Sequence, residues 1–461
     1  MEKYYMEFRK YALLYLVVIT TCLIACKKNW LEVKSDKKLT VPISLNDFQG
    51  LLDNVSAMNQ QFPNLGEVAS DGHYVTDISY QNTTKNATSD GYVWSKTVLH
   101  NTVTDWNTSY SKILIDNIVL DGLNKLTLTD NADKEQWSNI KGQALFHRAR
   151  IFFELAQIYS PPYNSSTADR DIGIVLRLSS DIKSVSKRST VKDTYEQILK
   201  DLNEAKNLLP IRPLVLTRGS SSAVDALLAR AYLSMEDYDN SFKAADNCLK
   251  QYSSLLDYNE VLASANFIGR YNKEVLFHTN FVASFITTNC LVDRNLFDAY
   301  LSNDLRKTRF YRQNANNTIS FKGAYESLTN QQFNGLSTDE IYLTRSECYA
   351  RAGKTAEAMK DLNDLMIKRW DKNVPYPTIT ATSADDALVK ILEERKKELI
   401  LRGVRWMDLR RLNKDPRYAV TLKRTVLGVE YTLEPNSYRY TFPIPDDIIQ
   451  QTGIQQNPGW P

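Results

Sequence analysis

The chain has 461 residues, with 57 basic and 54 acidic side chains and a formal net charge of +3. That length is enough for one large domain or for two to three smaller ones. The charges form neither a basic stripe nor an acidic tail, which argues against a nucleic-acid-binding protein. Tyrosine is abundant, at 26 residues, and its ring suits surfaces that combine flat apolar area with a polar edge.

The first 25 residues have the organisation of a secretory signal peptide. Three basic residues stand among the first ten, an apolar run covers residues 11–25, and Ala25 directly precedes Cys26. The run is too short to cross a bilayer comfortably, which takes about 20 residues. Leu23-Ile24-Ala25-Cys26 resembles the bacterial lipobox, in which the cysteine is lipidated and becomes the first mature residue. We therefore expect a lipoprotein signal peptide and a palmitate-bearing lipid anchor on Cys26; an uncleaved anchor or a plain signal peptide are the alternatives.

Residues 26–43 are predicted to form a flexible tether, because residues 27–40 are polar and charged and have little apolar periodicity. The folded domain is predicted to occupy residues 44–461. Its first helix is expected to begin near Ser44, with Ser44 or Asn46 as the N-cap.

A long irregular segment is predicted from residue 63 to about residue 104, where polar residues alternate with aromatic ones. Long ordered loops in compact domains usually carry function. Sugar rings pack their C–H faces on aromatic planes, and their hydroxyls need planar hydrogen-bonding partners. Trp94 and Tyr92 are the preferred stacking platforms, whereas Trp106 begins a helix and is expected in the core. The predicted ligand-binding residues are Trp94, Tyr92, Tyr74, His73, Tyr80 and Asn101.

Most of the remaining chain has apolar residues at the helical period. Few stretches alternate with a period of two, so the predicted fold class is mainly α. Long helices are expected over residues 106–120, 137–159, 194–209, 222–233, 239–252, 338–351, 355–370 and 385–412.

Two helix-pair segments resemble each other, one beginning at Ala226 and the other 117 residues later at Leu343. Each has small residues on a first helix, a turn with Gly or Asp, and Ala on a second helix, which is the tetratricopeptide pattern. We predict a tetratricopeptide-like (TPR-like) scaffold of helical pairs over about 44–252 and 336–412. A loop-rich insertion at 253–335 and a C-terminal segment at 413–461 complete the domain. An antiparallel helix bundle would also suit this pattern.

The insertion at 253–335 is a weaker candidate for ligand binding. It contains Asp293 and Arg294 together with several aromatic side chains. Its phenylalanine-rich character favours packing beneath a long loop.

No sequence motif indicates catalysis or a cofactor. The four histidines have no metal-ligand spacing, and phosphate-binding loops and nucleophile elbows are absent from the sequence. Glu394 and Glu398 are one helical turn apart, but basic neighbours favour a solvated, salt-bridged helix face over a glycosidase pair. Cys248 and Cys348 are expected to be buried small apolar residues. We predict that the chain is not an enzyme and holds no cofactor.

The C-terminal region carries two motifs of a known family. Residues 392–411 resemble the signature helix of the RagB/SusD family, which comprises outer-membrane nutrient-binding lipoproteins of Bacteroidetes. Phe442-Pro443-Ile444-Pro445 and Gln456-Asn457-Pro458-Gly459-Trp460 are similar to the family's ending. Residues 141–150, running on to Tyr159, are similar to its first strong helix.

The resemblance implies a TPR-like scaffold with a loop-rich ligand face and no catalytic activity. It implies an oligosaccharide or glycan ligand and a SusC-like TonB-dependent outer-membrane transporter as partner. It also implies that Glu398, Arg405 and Asp408 pack and form ion pairs that lock the last helix. A lipid-anchored protein on the outer face of the outer membrane is expected. Two alternatives stay open: the same scaffold binding peptides, and a periplasm-facing adaptor of the TPR type that binds only protein.

Overall fold

The computed structural model describes residues 41–83, 87–96, 104–128, 130–282, 290–328 and 330–461. The predicted signal peptide, Cys26, nearly all of the predicted tether and Asn101 lie outside the described residues. By its internal contacts the chain divides into Met1–Ile43 and one compact unit, Ser44–Pro461.

Seventeen α-helices lie within the described residues of this unit, together with short 3-10 helices at Tyr258–Glu260, Ile367–Arg369 and Tyr438–Tyr440. The α-helices are α1 Leu45–Leu52, α2 Val55–Met58, α3 Leu65–Ala69, α4 Asp77–Gln81, α5 Ala87–Tyr92, α6 Thr104–Leu123, α7 Asn131–Tyr159, α8 Val191–Leu208, α9 Ser221–Ser234, α10 Tyr238–Gln251, α11 Arg294–Asp298, α12 Arg306–Arg309, α13 Thr338–Arg351, α14 Thr355–Met366, α15 Ala384–Glu398, α16 Arg405–Leu412 and α17 Asp446–Thr452.

The strands are short and pair two by two, always antiparallel, in the part of the chain that the structure describes. They are β1 His73–Val75, β2 Ile172–Val175, β3 Arg188–Thr190, β4 Val275–Phe277, β5 Asn280–Phe281, β6 Cys290–Val292, β7 Tyr311–Gln313, β8 Ile319–Phe321, β9 Gln332–Phe333, β10 Leu336–Ser337, β11 Leu422–Val426 and β12 Val429–Leu433. The pairs are β1–β6, β2–β3, β4–β10, β5–β9, β7–β8 and β11–β12. The predicted mainly α class is confirmed.

The long helices form one continuous stack. Helices α6 to α10 pack in order, each against the next, and α10 then packs against α13. Helix α13 also packs against α14 and α15. The contact between α10 and α13 makes the two predicted helix pairs neighbours in space, although residues 253–335 separate them in the chain. This arrangement confirms the predicted TPR-like scaffold.

The two helix pairs share a detailed contact at equivalent positions. In the first pair, Ser241 Oγ on α10 donates to the carbonyl oxygen of Ala229 on α9, at 2.8 Å. In the second pair, Ser346 Oγ on α13 donates to the carbonyl oxygen of Ala358 on α14, at 2.7 Å. Ala229 corresponds to Ser346 and Ser241 to Ala358 in the 117-residue alignment. Serine and alanine have exchanged helices, but in both pairs a small side chain lets the backbones approach closely.

The first helix begins as its sequence predicts. Ser44 caps α1 in a capping box, in which the Asp47 amide donates to Ser44 Oγ at 3.2 Å and the Ser44 amide donates to Asp47 Oδ2 at 3.0 Å. Phe48 and Leu52 then bury their side chains in a small core against α6 and α7. Trp106, Cys248 and Cys348 are buried, as predicted.

Two predicted boundaries are wrong. The helix expected over residues 385–412 is two helices, because the chain turns sharply between α15 and α16. Leu401 and Gly403 have φ values of 55° and 74°, a left-handed conformation that ends a helix. The segment 63–104, expected to be irregular, contains α3, α4, α5 and β1 in its described residues, and the Thr76 side chain caps α4.

The prediction that Glu394 and Glu398 lie on a solvated face of α15 is also wrong. Glu398 is fully buried and accepts hydrogen bonds from Arg306 at 3.0 Å and Arg369 at 2.8 Å. Glu394 binds the same Arg306 at 2.6 Å, and Arg369 also binds buried Glu274 at 2.8 Å. These carboxylates form an internal ion-pair network that joins α15 to the insertion.

The interpretation that Glu398, Arg405 and Asp408 lock the last helices is confirmed. Asp408 on α16 accepts from Arg395 on α15 at 2.8 Å, which ties the two halves of the broken helix together. Arg405 forms an ion pair with Asp71, far away in the chain, with Nε to Oδ1 at 2.5 Å. Asp71 also lines a cavity beside β1.

Candidate functional site

A cavity of about 410 Å³ opens between β1, the end of α5, the start of α11 and the β11–β12 hairpin. It brings together four of the six residues predicted to bind ligand, namely His73, Tyr74, Tyr92 and Trp94. The other lining residues are Asp71, Gly72, Val75, Asp293, Arg294, Leu422, Lys423, Arg424 and Thr425. We call this the Tyr74 cavity.

Strand pairing brings the two predicted loop regions together. In the β1–β6 pair, His73 stands opposite Val292 and Tyr74 opposite Leu291. The Asp293 amide continues the pairing by donating to the carbonyl oxygen of Gly72 at 2.9 Å. The insertion therefore contributes Asp293 and Arg294 to the cavity, as the weaker sequence candidate suggested.

Tyr74 presents the exposed aromatic ring of this cavity. Successive strand residues point to opposite sides, so His73 and Val75 turn inward while Tyr74 is 37% exposed. The same cavity is lined by Arg294, Lys423 and Thr425, which are exposed, and by Asp293, which is half-buried. This rim contains both hydrogen-bond donors and acceptors beside one flat apolar surface.

The prediction that Trp94 and Tyr92 are exposed stacking platforms is wrong. Trp94 is 3% exposed, and its indole Nε1 donates to the carbonyl oxygen of Ala69 at 2.9 Å. Tyr92 is 1% exposed, and its hydroxyl accepts from the Val75 amide at 3.0 Å. Both rings lie in the cavity wall, where they hold α3 and β1 in place instead of presenting a face to solvent.

Arg424 on β11 packs against both rings. Its guanidinium lies 3.9 Å from the ring centroid of Tyr92 and 4.6 Å from that of Trp94. It donates to the carbonyl oxygens of Val68, Ser70 and Tyr92, at the C-terminal ends of α3 and α5. Helix C-termini carry partial negative charge, so this contact is favourable without a carboxylate.

Arg424 has no carboxylate within ion-pair distance among the described residues. Burial lowers the pKa of Arg424 to about 10, so its guanidinium stays charged at neutral pH. The wall of the Tyr74 cavity thus holds a positive charge that carbonyl dipoles balance at contact distance, while the Asp71 carboxylate acts on it from beyond ion-pair distance.

His73 is a neutral polar group in the same wall. Burial, together with the charge of Arg424, lowers the pKa of His73 to about 3. Its Nε2 is buried and has no hydrogen-bond partner among the described residues.

Asp71 connects the cavity to the signature helices. It accepts from Lys396 at 2.7 Å and from both Nε and Nη2 of Arg405, at 2.5 and 3.0 Å. Burial alone would raise the pKa of Asp71, but Arg405 and Lys396 more than offset it and hold that pKa well below its usual range. Asp71 is therefore a fixed anion whose role is to position the loop between α3 and β1.

One predicted residue within the described chain, Tyr80, does not line this cavity. Tyr80 is half-buried on α4, where its hydroxyl donates to the carbonyl oxygen of Ser89 at 3.4 Å and its ring lies 6.1 Å from that of Tyr92. Asn101 lies outside the described residues.

Sequence reasoning missed the contribution of the C-terminal hairpin, which supplies Lys423, Arg424 and Thr425. A local signal for the hairpin exists, because two runs rich in Val and Thr flank the dipeptide Leu427-Gly428. Both turn residues have positive φ, 53° and 76°, which is the pattern of a two-residue hairpin loop. Nothing in the local sequence, however, indicates that this hairpin lies beside His73.

Within the described residues, no group of three or more His, Cys, Asp or Glu side chains is arranged to hold a metal ion. Over those same residues, no helix combines the length and apolarity needed to cross a membrane.

Solved structures with the same fold are known. A SusD superfamily protein from Bacteroides thetaiotaomicron VPI-5482 is 21% identical, with a TM-score of 0.74 over 90% of this chain and 100% of its own. A protein described as a putative sugar binding protein from Bacteroides vulgatus ATCC 8482 is also 21% identical, with a TM-score of 0.73 over 92% of this chain and 100% of its own. A laminarin binding SusD-like protein is 17% identical, with a TM-score of 0.63 over 90% of this chain and 98% of its own.

Among curated proteins, none matches the chain significantly. Two family models do match it, and the matched ranges include the residues that carry the sequence motifs. One, described as starch-binding associating with outer membrane, covers residues 29–233. The other, the SusD family, covers residues 303–460 and includes α15, α16 and the C-terminal motif. With matches over both ends of the domain and the same fold throughout, the chain belongs to the RagB/SusD family.

Proposed function

We propose that this chain is a non-catalytic outer-membrane lipoprotein that binds oligosaccharide in the Tyr74 cavity and passes it to a SusC-like TonB-dependent transporter. The observation that carries the proposal is the cavity itself. It combines one exposed tyrosine ring with a rim of charged and hydroxyl side chains, in a chain of the RagB/SusD family.

The chemistry of this rim suits sugars. A pyranose ring can lay its C–H face on the exposed ring of Tyr74. Its hydroxyl groups both donate and accept hydrogen bonds, and the rim offers donors on Arg294 and Lys423, an acceptor on Asp293 and a hydroxyl on Thr425. At about 410 Å³ the cavity has the size of ordinary small-ligand sites. The laminarin-binding relative and the starch-binding family description support the same ligand class.

The acids of the cavity do not suit glycoside hydrolysis. A glycosidase needs two carboxyl groups flanking the sugar, one of them protonated at working pH. Asp71 is held ionised by Arg405 and Lys396. Asp293 is the N-cap of α11 and accepts from the Asn295 amide at 2.7 Å. Both carboxylates therefore have structural roles, which supports binding without turnover.

A binding panel tests the ligand class. The full chain is screened against neutral glucans including laminarin and starch, against other plant and host glycans, and against a peptide library of equal size. We expect one glycan class to bind and no reducing ends to be released on prolonged incubation. Binding confined to peptides would overturn the sugar assignment, and release of reducing ends would overturn the non-catalytic one.

The proposed anchor and partner need a cellular test. In the native host, the chain is expected to incorporate labelled palmitate, to be cleaved by protease added to intact cells, and to co-purify with a TonB-dependent transporter. Cys26→Ala is expected to abolish the label and release the chain from the membrane fraction, with Cys290→Ala as the matched control. A protected chain would favour the periplasm-facing adaptor instead.

A further inference from the structure

A second, larger cavity lies at the C-terminal motif and shares no lining residue with the Tyr74 cavity. Its volume is about 610 Å³. The floor consists of buried polar residues and the rim of exposed ones. The floor residues are Arg410, Asn413, Tyr440 and Asn457, and the exposed rim residues are Asn164, Asn436, Tyr438 and Pro458. We call this the Tyr438 cavity.

Arg410 lies in the floor of this cavity, and its contacts resemble those of Arg424 in the wall of the Tyr74 cavity. Its Nη1 and Nη2 donate to the carbonyl oxygens of Gln157 and Ser160, where α7 ends. No carboxylate among the described residues forms an ion pair with Arg410. Its two Nη groups are satisfied by a helix C-terminus, but its Nε is buried and unpartnered.

The rest of the floor also has unused hydrogen-bonding capacity. Asn457 donates through Nδ2 to the carbonyl oxygens of Tyr159 and Phe442, at 3.0 and 2.6 Å, while its Oδ1 is buried without a partner. Asn413 Nδ2 and the Tyr440 hydroxyl are also buried, and they lie within reach of each other. Buried polar atoms are nearly always paired, so Arg410 Nε and Asn457 Oδ1 beside one cavity indicate a place where polar ligand atoms can pair with them.

The rim supplies a rigid aromatic surface. Tyr438 is 40% exposed, and the back of its ring lies on the backbone of Gly459, where a Cβ atom would stand 2.7 Å from Tyr438 Cγ. The indole of Trp460 meets the same ring edge-on, with centroids 5.2 Å apart. One face of the tyrosine ring is therefore fixed against the protein.

The charges around the cavity are balanced. Lys414 forms an ion pair with Glu236, and Asp171 accepts from the Thr167 hydroxyl at 2.5 Å. The floor offers donors on Arg410 and Asn413, an acceptor on Asn457 and a hydroxyl on Tyr440. An anion would need donors only and would face Asn457 Oδ1 and Asp171 unfavourably. Hydroxyl groups, which donate and accept, match the mixed set.

We propose that the Tyr438 cavity is a second binding site for a neutral, hydroxyl-rich oligosaccharide segment, with Tyr438 as the stacking platform. This inference rests on the proposed function, since it assigns a second site for the same ligand class. At about 610 Å³ it lies within the range of typical small-ligand cavities, which is about 300–1,000 Å³. Two sites on one chain would let a long glycan be held at two points, which raises its effective affinity.

Calorimetric titration of the full chain tests the second site. The probe is a neutral trisaccharide cut from whichever glycan binds best on a glycan array, since a trisaccharide is too short to fill both cavities. Wild type is expected to bind two trisaccharides per chain. Tyr438→Ala and Tyr74→Ala are each expected to keep one site at wild-type affinity and to weaken the other about tenfold, whereas Tyr438→Phe, which keeps the ring, is expected to keep both.

Matched variants keep the test decisive. Tyr271 is similarly exposed, at 43%, and lines neither cavity, so Tyr271→Ala should leave both sites intact. If Tyr438→Ala does not fold, Asn164→Ala removes an exposed rim amide and is expected to weaken the second site about threefold to tenfold.

One site per chain, lost only in Tyr74→Ala, would overturn this inference and leave the proposed function standing. Binding of acidic glycans alone would overturn it too, and an array with no bound glycan would overturn the proposed function itself.

Discussion

Buried arginines in the helical scaffold and in the cavity walls are balanced in different ways. In the scaffold, Arg369 lies between Glu274 and Glu398, each at 2.8 Å or less. In the walls, Arg410 and Arg424 donate to backbone carbonyl oxygens at helix ends and have no ion pair in the part of the chain that the structure describes. The scaffold charges are neutralised and fixed. The wall charges are held by dipoles, which leaves hydrogen-bonding capacity beside each cavity.

The two environments also act differently on the guanidinium itself. Burial lowers the pKa of an arginine, but the carboxylates beside Arg369 reverse the effect and raise its pKa well above the ordinary value. Arg410 and Arg424 lack such partners, and burial lowers the pKa of each to about 10. The comparison indicates that Arg369 contributes mainly to stability, whereas Arg410 and Arg424 also shape the binding surfaces.

The largest expected effect is the loss of a scaffold arginine. Arg369→Ala would leave Glu274 and Glu398 buried with one fewer cation. Removing one partner of a buried ion pair lowers the free energy of unfolding by about 3–5 kcal/mol. Urea denaturation measures the change. The matched control is Arg294→Ala, which breaks an exposed pair with Asp298 and is expected to unfold like wild type. A loss below about 1 kcal/mol for Arg369→Ala would contradict the comparison.

Removal of a wall arginine is expected to cost less. Arg424→Met would leave carbonyl oxygens without their donor but would strand no carboxylate, so we expect a loss of about 2 kcal/mol. Because Tyr92 and Trp94 would lose the group that packs on them, glycan affinity at the Tyr74 cavity should fall as well. Denaturation and titration of the same variant measure the two effects. Unchanged glycan affinity would show that the wall does not shape the site.

A buried acid beneath the Tyr74 cavity gives a pH-dependent prediction. Burial raises the pKa of Glu67 to about 7, from an ordinary value of 4.5. The native state therefore binds the proton more tightly than the unfolded state, and this group's contribution to stability falls as pH rises from 4.5 to 7. Glu67→Gln, which can still accept from the Gly403 amide, should gain about 3 kcal/mol at pH 8 and nothing at pH 4. A difference that is constant across pH would contradict the assignment.

The smallest expected effect compares the two helix pairs. Ser241→Ala and Ser346→Ala each remove one hydroxyl-to-carbonyl bond between paired helices, which is worth about 1 kcal/mol. Because the contacts are equivalent, the two losses in thermal unfolding should agree within experimental error. A clearly larger loss for one of them would show that the pairs are not energetically equivalent repeats.

The sequence predicts the scaffold well because its signals are local. Helical periodicity locates the long helices, and the polar residues at 44–47 locate the first capping box. The prediction of one helix over residues 385–412 was wrong because apolar periodicity continues through the turn at Leu401 and Gly403, so the sequence gives little sign of the break.

The candidate site is predicted only in part, because long-range contacts decide which rings are exposed. Trp94 and Tyr92 lie in a polar stretch that indicates exposure, but Arg424, 332 positions from Tyr92, packs on both rings and buries them. Tyr74 is exposed through strand alternation in a three-residue strand, which is too short to recognise from sequence. The floor of the Tyr438 cavity likewise depends on Arg410 meeting the end of α7.

The central claim is that this chain binds oligosaccharide through the Tyr74 cavity. Titration of the glycan that binds best into the full-length Tyr74→Ala variant tests it most directly, with Tyr271→Ala as the matched control. Loss of a stacking ring is worth about 1–2 kcal/mol, so affinity at this site should fall about tenfold. Tyr271→Ala should bind like wild type. Equal affinity of Tyr74→Ala and wild type at both sites would contradict the account.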